Sequence, residues 1–174
     1  MKTSFILLAS ILALNLVPSS LRADAQSEIP ANAWEHHAEG VSIAMFLVSR
    51  MENGAKKSAI KVYIKNTANT KKYLPGDVND SALQIFYVDS NGSHVPLRDY
   101  TPKIPSVVSM PGMPDSRRYE SGEMEVKTID LTLSELALVE AHPVFCRFHI
   151  SDQEVGGYKL VESSPRLLTE ATDK

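Results

Sequence analysis

Four side chains able to bind a metal fall within five residues, Glu35, His36, His37 and Glu39 in the run EHHAE. Two imidazoles and two carboxylates are a donor set that suits zinc. The spacing argues against it, because consecutive side chains of an extended segment point to opposite sides and His36 and His37 cannot both turn to one ion. The reading preferred is a solvated segment ahead of the first strand, with no metal and no other cofactor. Asp77, Asn79, Asp80, Asp89 and Asn91 offer oxygens for calcium if two loops meet. A full calcium loop is missing, however, and turn formation accounts for all five.

Catalytic templates fail in turn. The chain has no Gly-x-Ser-x-Gly elbow, no His-Glu-x-x-His, no phosphate-binding glycine loop and no dinucleotide fingerprint. The one cysteine, Cys146 in VFCRFHI, alternates in phase with Val144, Phe148 and Ile150. That pattern predicts a buried, inert thiol, and a lone cysteine has no partner for an internal disulfide. Tyr63, Phe86, Tyr100 and Tyr119 are candidates for an aromatic sugar platform, though Tyr is also simply a good strand former. Asn79-Asp80-Ser81 and Asn91-Gly92-Ser93 are formal glycosylation sequons.

The longest irregular stretch runs over 99–119 and contains Pro102, Pro105, Pro111 and Pro114, which exclude a central strand. Long loops are often functional, and prolines lower the entropy lost when an extended segment binds. Ile104, Pro105, Val107, Val108, Met110, Pro111 and Met113 are its candidate binding residues. The plainer alternative is a connection crossing between two sheets.

The N-terminus fixes the expected compartment. Lys2 precedes the apolar run FILLASILALNLV, Pro18 breaks it, and Ala23-Asp24-Ala25 supplies the small residues that a signal peptidase reads. Residues 1–25 are expected to be a signal peptide cleaved after Ala25, leaving a secreted or periplasmic chain. The apolar run is shorter than the roughly 20 residues of a spanning helix, so no membrane span is expected after cleavage. The net charge of −3 becomes −4 once Lys2, Arg22 and Asp24 are removed. Such a balance gives no footprint for nucleic acid or anionic membrane, and a protein partner is the remaining expectation. The oligomeric state is left open.

The rest of the chain must position these residues. Residues 26–39 read as a flexible lead-in, 40–170 as one domain and 171–174 as a fraying tail. VSIAMFLVSR is apolar on both faces, and SAIKVYIKN alternates cleanly. Asn53-Gly54 between them is a strong hairpin signal. ALQIFYV leads through Asp89-Ser90-Asn91-Gly92 into HVPL, a second predicted hairpin. In GEMEVKTIDLTL the apolar phase set by Met124 and Val126 changes at Ile129, Leu131 and Leu133, which predicts a bulge near Lys127 and Thr128. One or two helical turns are expected over 134–140 with Ser134 as the cap. VFCRFHIS and YKLVES followed by RLLTE complete about seven strands. The fold class is all-β, a single antiparallel two-sheet sandwich of immunoglobulin-like type with one short helical turn.

Four segments taken together, VYIKNTANTKKYLPG, LQIFYVDSNGSHVPL, YESGEMEVKTIDL and VFCRFHIS, resemble exported bacterial sandwich domains and the intracellular proteinase inhibitor (BsuPI-like) family. Lys65-Asn66-Thr67 and Asp89-Ser90-Asn91-Gly92 match that pattern, and Ser121-Gly122-Glu123 matches in part. Val144 and Cys146 depart from its Gly-x-Tyr element. The resemblance implies a sandwich over 40–170 and, by analogy, a proteinase inhibitor using the loop 102–114. The functional expectation is an exported, non-catalytic interaction module. The inhibitor is the first alternative, and a carbohydrate-binding protein or a hydrolytic enzyme the second.

Overall fold

The long hairpin that anchors the molecule follows from its residue pattern. Val41–Glu52 (β2) and Ala55–Asn66 (β3) pair antiparallel from Val41↔Asn66 to Glu52↔Ala55. Asn53 and Gly54 both have positive φ, 53° and 78°, as a two-residue hairpin turn requires. Ile60, Val62 and Ile64 are buried while Lys61, Tyr63 and Lys65 are half-buried, so β3 has one core face. β2 is buried on both faces over most of its length.

A computed structural model describes residues 29–73, 83–98, 118–152 and 158–172. Among the described residues there are eleven strands and one α-helix. The first sheet runs Glu35–His37 (β1), β2, β3, then Met124–Asp130 (β8), with Glu170–Thr172 (β11) also on β2. In the second, Leu83–Val88 (β5) joins His94–Pro96 (β6) to Val144–Asp152 (β9). Lys72–Tyr73 (β4) pairs with β9 and with Arg118–Tyr119 (β7), and Tyr158–Glu162 (β10) pairs with β9. Ile43, Met45, Ile60 and Val62 of the first sheet close onto Ile85, Val144, Cys146 and Phe148 of the second, and the fold is an all-β sandwich.

Several expectations need correction. Seven strands undercounts the fold, because two- and three-residue strands at sheet margins carry too little periodicity to read. Residues 31–39 are not a loose lead-in: a 3₁₀ turn over Ala31–Ala33 leads into β1, which pairs antiparallel with Val41–Ile43. Ala171 and Thr172 belong to β11 and not to a tail, and β11 lies parallel to β2, so the sandwich is not wholly antiparallel. No bulge interrupts β8, whose register against β3 is unbroken from Ala59↔Asp130 to Lys65↔Met124. Its inward face is Glu125, Lys127 and Ile129, with Val126 exposed. The apparent phase change came from treating a buried glutamate as a surface residue.

Glu125 is tolerated inside because it is partnered. The hydroxyl of Tyr119, 1% exposed, donates to its carboxylate, and Lys127 Nζ lies 3.4 Å away. Asn66, 0% exposed, ends β3 beside them. Its Nδ2 donates to Thr70 O at 2.8 Å and Tyr119 O at 2.9 Å, and its Oδ1 accepts from Ala68 N at 3.0 Å. One amide thus fastens the first sheet to β7 of the second.

The helix Leu133–Ala141 (α1) is longer than expected and begins one residue earlier, with Thr132 and not Ser134 as its cap. Thr132 Oγ1 accepts from Glu135 N, and Glu135 Oε2 accepts from Thr132 N at 2.7 Å, a reciprocal capping box. Arg98 grips the same carboxylate through Nε at 2.5 Å and Nη2 at 3.2 Å. These contacts, the Arg98 hydrogen bond foremost and burial opposing, lower the Glu135 carboxyl from 4.5 to about 2. A folded value below the unfolded one stabilises the fold above about pH 4.5, a contribution lost as pH falls toward about 2. Urea midpoints measured between neutral pH and pH about 2 should therefore fall, and Glu135→Gln should flatten that part of the fall. An unchanged slope in the variant would assign the acid sensitivity to other groups.

Candidate functional site

β1 brings the sequence-predicted EHHAE residues to one margin of the sandwich. The histidines do point apart: His36 Nδ1 is 2.6 Å from Ser42 Oγ, while His37 Nε2 is 3.3 Å from Glu35 Oε1. Among the described residues no three His, Cys, Asp or Glu side chains gather as a metal would need. Glu35 reaches instead across the chain. Its carboxylate accepts from Ser164 N at 2.8 and 3.0 Å and from Ser164 Oγ at 2.9 Å.

The Ser164 side of this contact is positioned by β9. Beyond β10 the chain continues along the same strand, with Ser163 N donating to Cys146 O and Ser163 Oγ accepting from Cys146 N, both at 3.0 Å. Two residues past Ser164, Arg166 and Val144 exchange backbone hydrogen bonds of 2.8 and 3.0 Å. The Arg166 side chain then returns toward β1, where Nη1 donates to Ala33 O at 3.4 Å. Residues 33–37 and 163–166 therefore clasp the two sheets at one corner.

This corner contains polar atoms without partners among the described residues. Arg166 Nε and Nη2 are shielded from solvent and meet no hydrogen-bond acceptor there, and His37 Nε2, though near Glu35, is not aligned to hydrogen-bond. A buried donor left unsatisfied is costly, and more so when it carries charge. Nε and Nη2 are also the two parallel N–H groups with which arginine grips a planar anion.

Cys146 lies beneath the clasp, fully buried, and burial pushes its thiol up to about 12 against the opposing hydrogen bond with Ser163. At neutral pH it is a protonated thiol and not a nucleophile.

The other sequence candidates do not assemble. The loop residues Ile104, Pro105, Val107, Val108, Met110, Pro111 and Met113 lie outside the described residues, as do Asp77, Asn79, Asp80 and Tyr100. Asp89 Oδ1 accepts from Asn91 N and Ser93 N at 2.8 Å each, which is turn chemistry. The sugar platform is not formed by its described members. Tyr119 is buried, Phe86 is buried between Phe145 and the Arg147 guanidinium, and Tyr63 packs edge-on against Phe46. Sequence reasoning missed Ser164 and Arg166. Their one signal is a charged side chain beside apolar Leu167 and Leu168, and nothing in linear spacing pairs it with Ala33.

No family model matches the chain, and no curated protein matches it. Two solved structures share part of its path. The structural-genomics target SoR45 is 11% identical with a TM-score of 0.43, covering 77% of this chain and 90% of its own. A putative ApaA protein from Bordetella pertussis is 13% identical with a TM-score of 0.42, covering 81% and 98%. Likeness at this level carries no argument about function.

Proposed function

We propose that the protein is an exported, non-catalytic β-sandwich module that binds a protein partner, with the β1 corner as a recognition element. The observation carrying this reading is the polar surface of that corner, where the exposed Glu35–Ser164 contact stands beside the half-buried Arg166. The inert Cys146 thiol fits binding better than covalent catalysis. Export rests on the signal-type N-terminus.

The test uses the protein and its Arg166→Lys variant as baits on the envelope and secreted fractions of the producing cell, followed by titration of each purified partner. Lysine keeps the charge and removes the fork. A direct partner whose affinity falls about tenfold or more in the variant supports the reading, as expected when a charged hydrogen-bond pair is lost. Equal affinity for both proteins removes the corner from recognition.

A further inference from the structure

β8 is the last strand of the first sheet, and among the described residues it pairs with β3 alone. The bonds from Asn66 N to Glu123 O and from Leu131 N to Ser58 O, both 2.9 Å, fix the phase of that ladder. Glu125, Lys127 and Ile129 therefore direct their N–H and C=O groups to β3, and Met124, Val126 and Thr128 turn theirs to the open edge. Arg98 Nη2 takes the next outward carbonyl, Asp130 O, and closes the ladder at that end. Val126 and Thr128 also carry exposed side chains. A run of outward backbone groups of this kind is a template for another strand.

We infer that this edge pairs antiparallel with the same edge of a second copy of the chain, about a two-fold axis at Val126, so that two first sheets become one. Charge selects the second copy. Glu125 and Lys127 point inward along the edge, and inward charges there disfavour any added strand that does not balance them. With Val126 opposite the second copy's Val126, Glu125 faces the second copy's Lys127 and Lys127 faces its Glu125, in the closely spaced pairs of the new ladder. Neighbouring registers lose this match. Setting Val126 opposite Thr128 brings Lys127 against Lys127 and needs Asp130 O, which Arg98 already holds. Setting Val126 opposite Met124 brings Glu125 against Glu125, and like charges directly opposite are destabilising. A two-fold contact requires a patch complementary to itself, and Glu125-Val126-Lys127 is such a patch, centred on its middle residue. The β1 corner lies at the opposite margin of the sheet, so the inference stands independently of it.

Sedimentation of the purified protein over a range of concentrations is expected to show a monomer–dimer equilibrium, weak because one strand edge is a small interface. The Met124, Val126 and Thr128 amides should exchange with heavy water more slowly as the dimer fraction rises. Val126→Lys sets like charges on the axis and should raise the dissociation constant about tenfold or more at low salt. Two cysteine variants read the register, with oxidised glutathione as oxidant. Val126→Cys should give a disulfide-linked dimer, since the facing Cα atoms lie about 5.5 Å apart. Thr128→Cys should not, because its counterpart lies out of disulfide reach along the strand. Cys146 is fully buried and does not compete.

A protein that sediments as a monomer at every concentration overturns the inference. Slow edge amides in that monomer would show that the chain covers its own edge, and fast ones that the edge serves a different partner. A dimer that Val126→Lys leaves unchanged overturns the edge, and one that cross-links through Thr128→Cys overturns the register. The first readouts are on the unmodified protein, so a variant that fails to fold does not weaken the test.

Discussion

Replacing Asn66 by leucine should destabilise the protein by about 2–4 kcal/mol, read as a drop in the free energy of urea unfolding. The side chain is isosteric, so little packing changes, and the effect isolates three hydrogen bonds. Thr70 O and Tyr119 O lose the bond from the Asn66 amide, and Ala68 N keeps only Gly40 O, around a residue that is itself 0% exposed. A hydrogen bond is worth about 0.5–1.5 kcal/mol net, and the loss of three sets the expected range. Asn66→Asp makes the sharper test. The ionised carboxylate of that variant keeps the bond from Ala68 N but turns a negative oxygen on two carbonyls. Burial and those carbonyls raise its folded value above the unfolded one, so its destabilisation is full at neutral pH and eases as pH falls and the protonated carboxyl regains a donor. A leucine variant losing less than about 1 kcal/mol would mean that the two sheets do not depend on this amide.

The same residue shows how far the sequence could be read. Lys65-Asn66-Thr67 is visible as a motif at the end of an alternating strand, and Asn before Thr reads naturally as turn chemistry. The alternation of Ile60, Val62 and Ile64 carries on to Asn66, but it cannot show the partners, Tyr119 O above all, that let an amide sit on the core face. The hairpins were legible because their signals are local: Asn53-Gly54 and Asp89 to Gly92 fold on themselves, with Gly92 at φ 79°. The core face of β9 was legible because Val144, Cys146, Phe148 and Ile150 keep period two. β8 was misread because Glu125 is inside, and a glutamate is placed inside only by partners such as Tyr119 that lie elsewhere in the chain. β1 and β11 were missed because three-residue strands borrow their order from β2. The corner was half legible. Glu35 and His37 stood out by residue type and their spacing argued against a shared metal, but Ser164 and Arg166 meet this segment only through the closure of the sandwich.

Gly40→Ala should cost about 2–5 kcal/mol and should also loosen the contacts of the corner. Gly40 closes the turn between β1 and β2 at φ +74°, a left-handed conformation worth about 1–2 kcal/mol against any other residue. An added Cβ would lie 2.7 Å from Ala68 Cβ and 3.3 Å from its Cα. That neighbour cannot simply move: Thr67 N and Ala68 N both donate to Gly40 O, at 2.9 and 3.1 Å, and Ala68 N also reaches Asn66 Oδ1. Overpacking of this kind adds about 1–3 kcal/mol. Gly54→Ala is the control, because φ is +78° there and nothing lies within 4 Å of the added carbon, so only the conformational part should appear. Equal losses in the two variants would show that the turn at Ala68 yields. If the clash is real, the relief lies in tilting β1, which carries Glu35 and His37 away from Ser164 and Arg166. The Ser164 amide signal in a nitrogen–proton spectrum should then move in Gly40→Ala under conditions where the chain is still folded, and stay in place in Gly54→Ala. The turn glycine would thus couple the stability of the first sheet to the geometry of the corner.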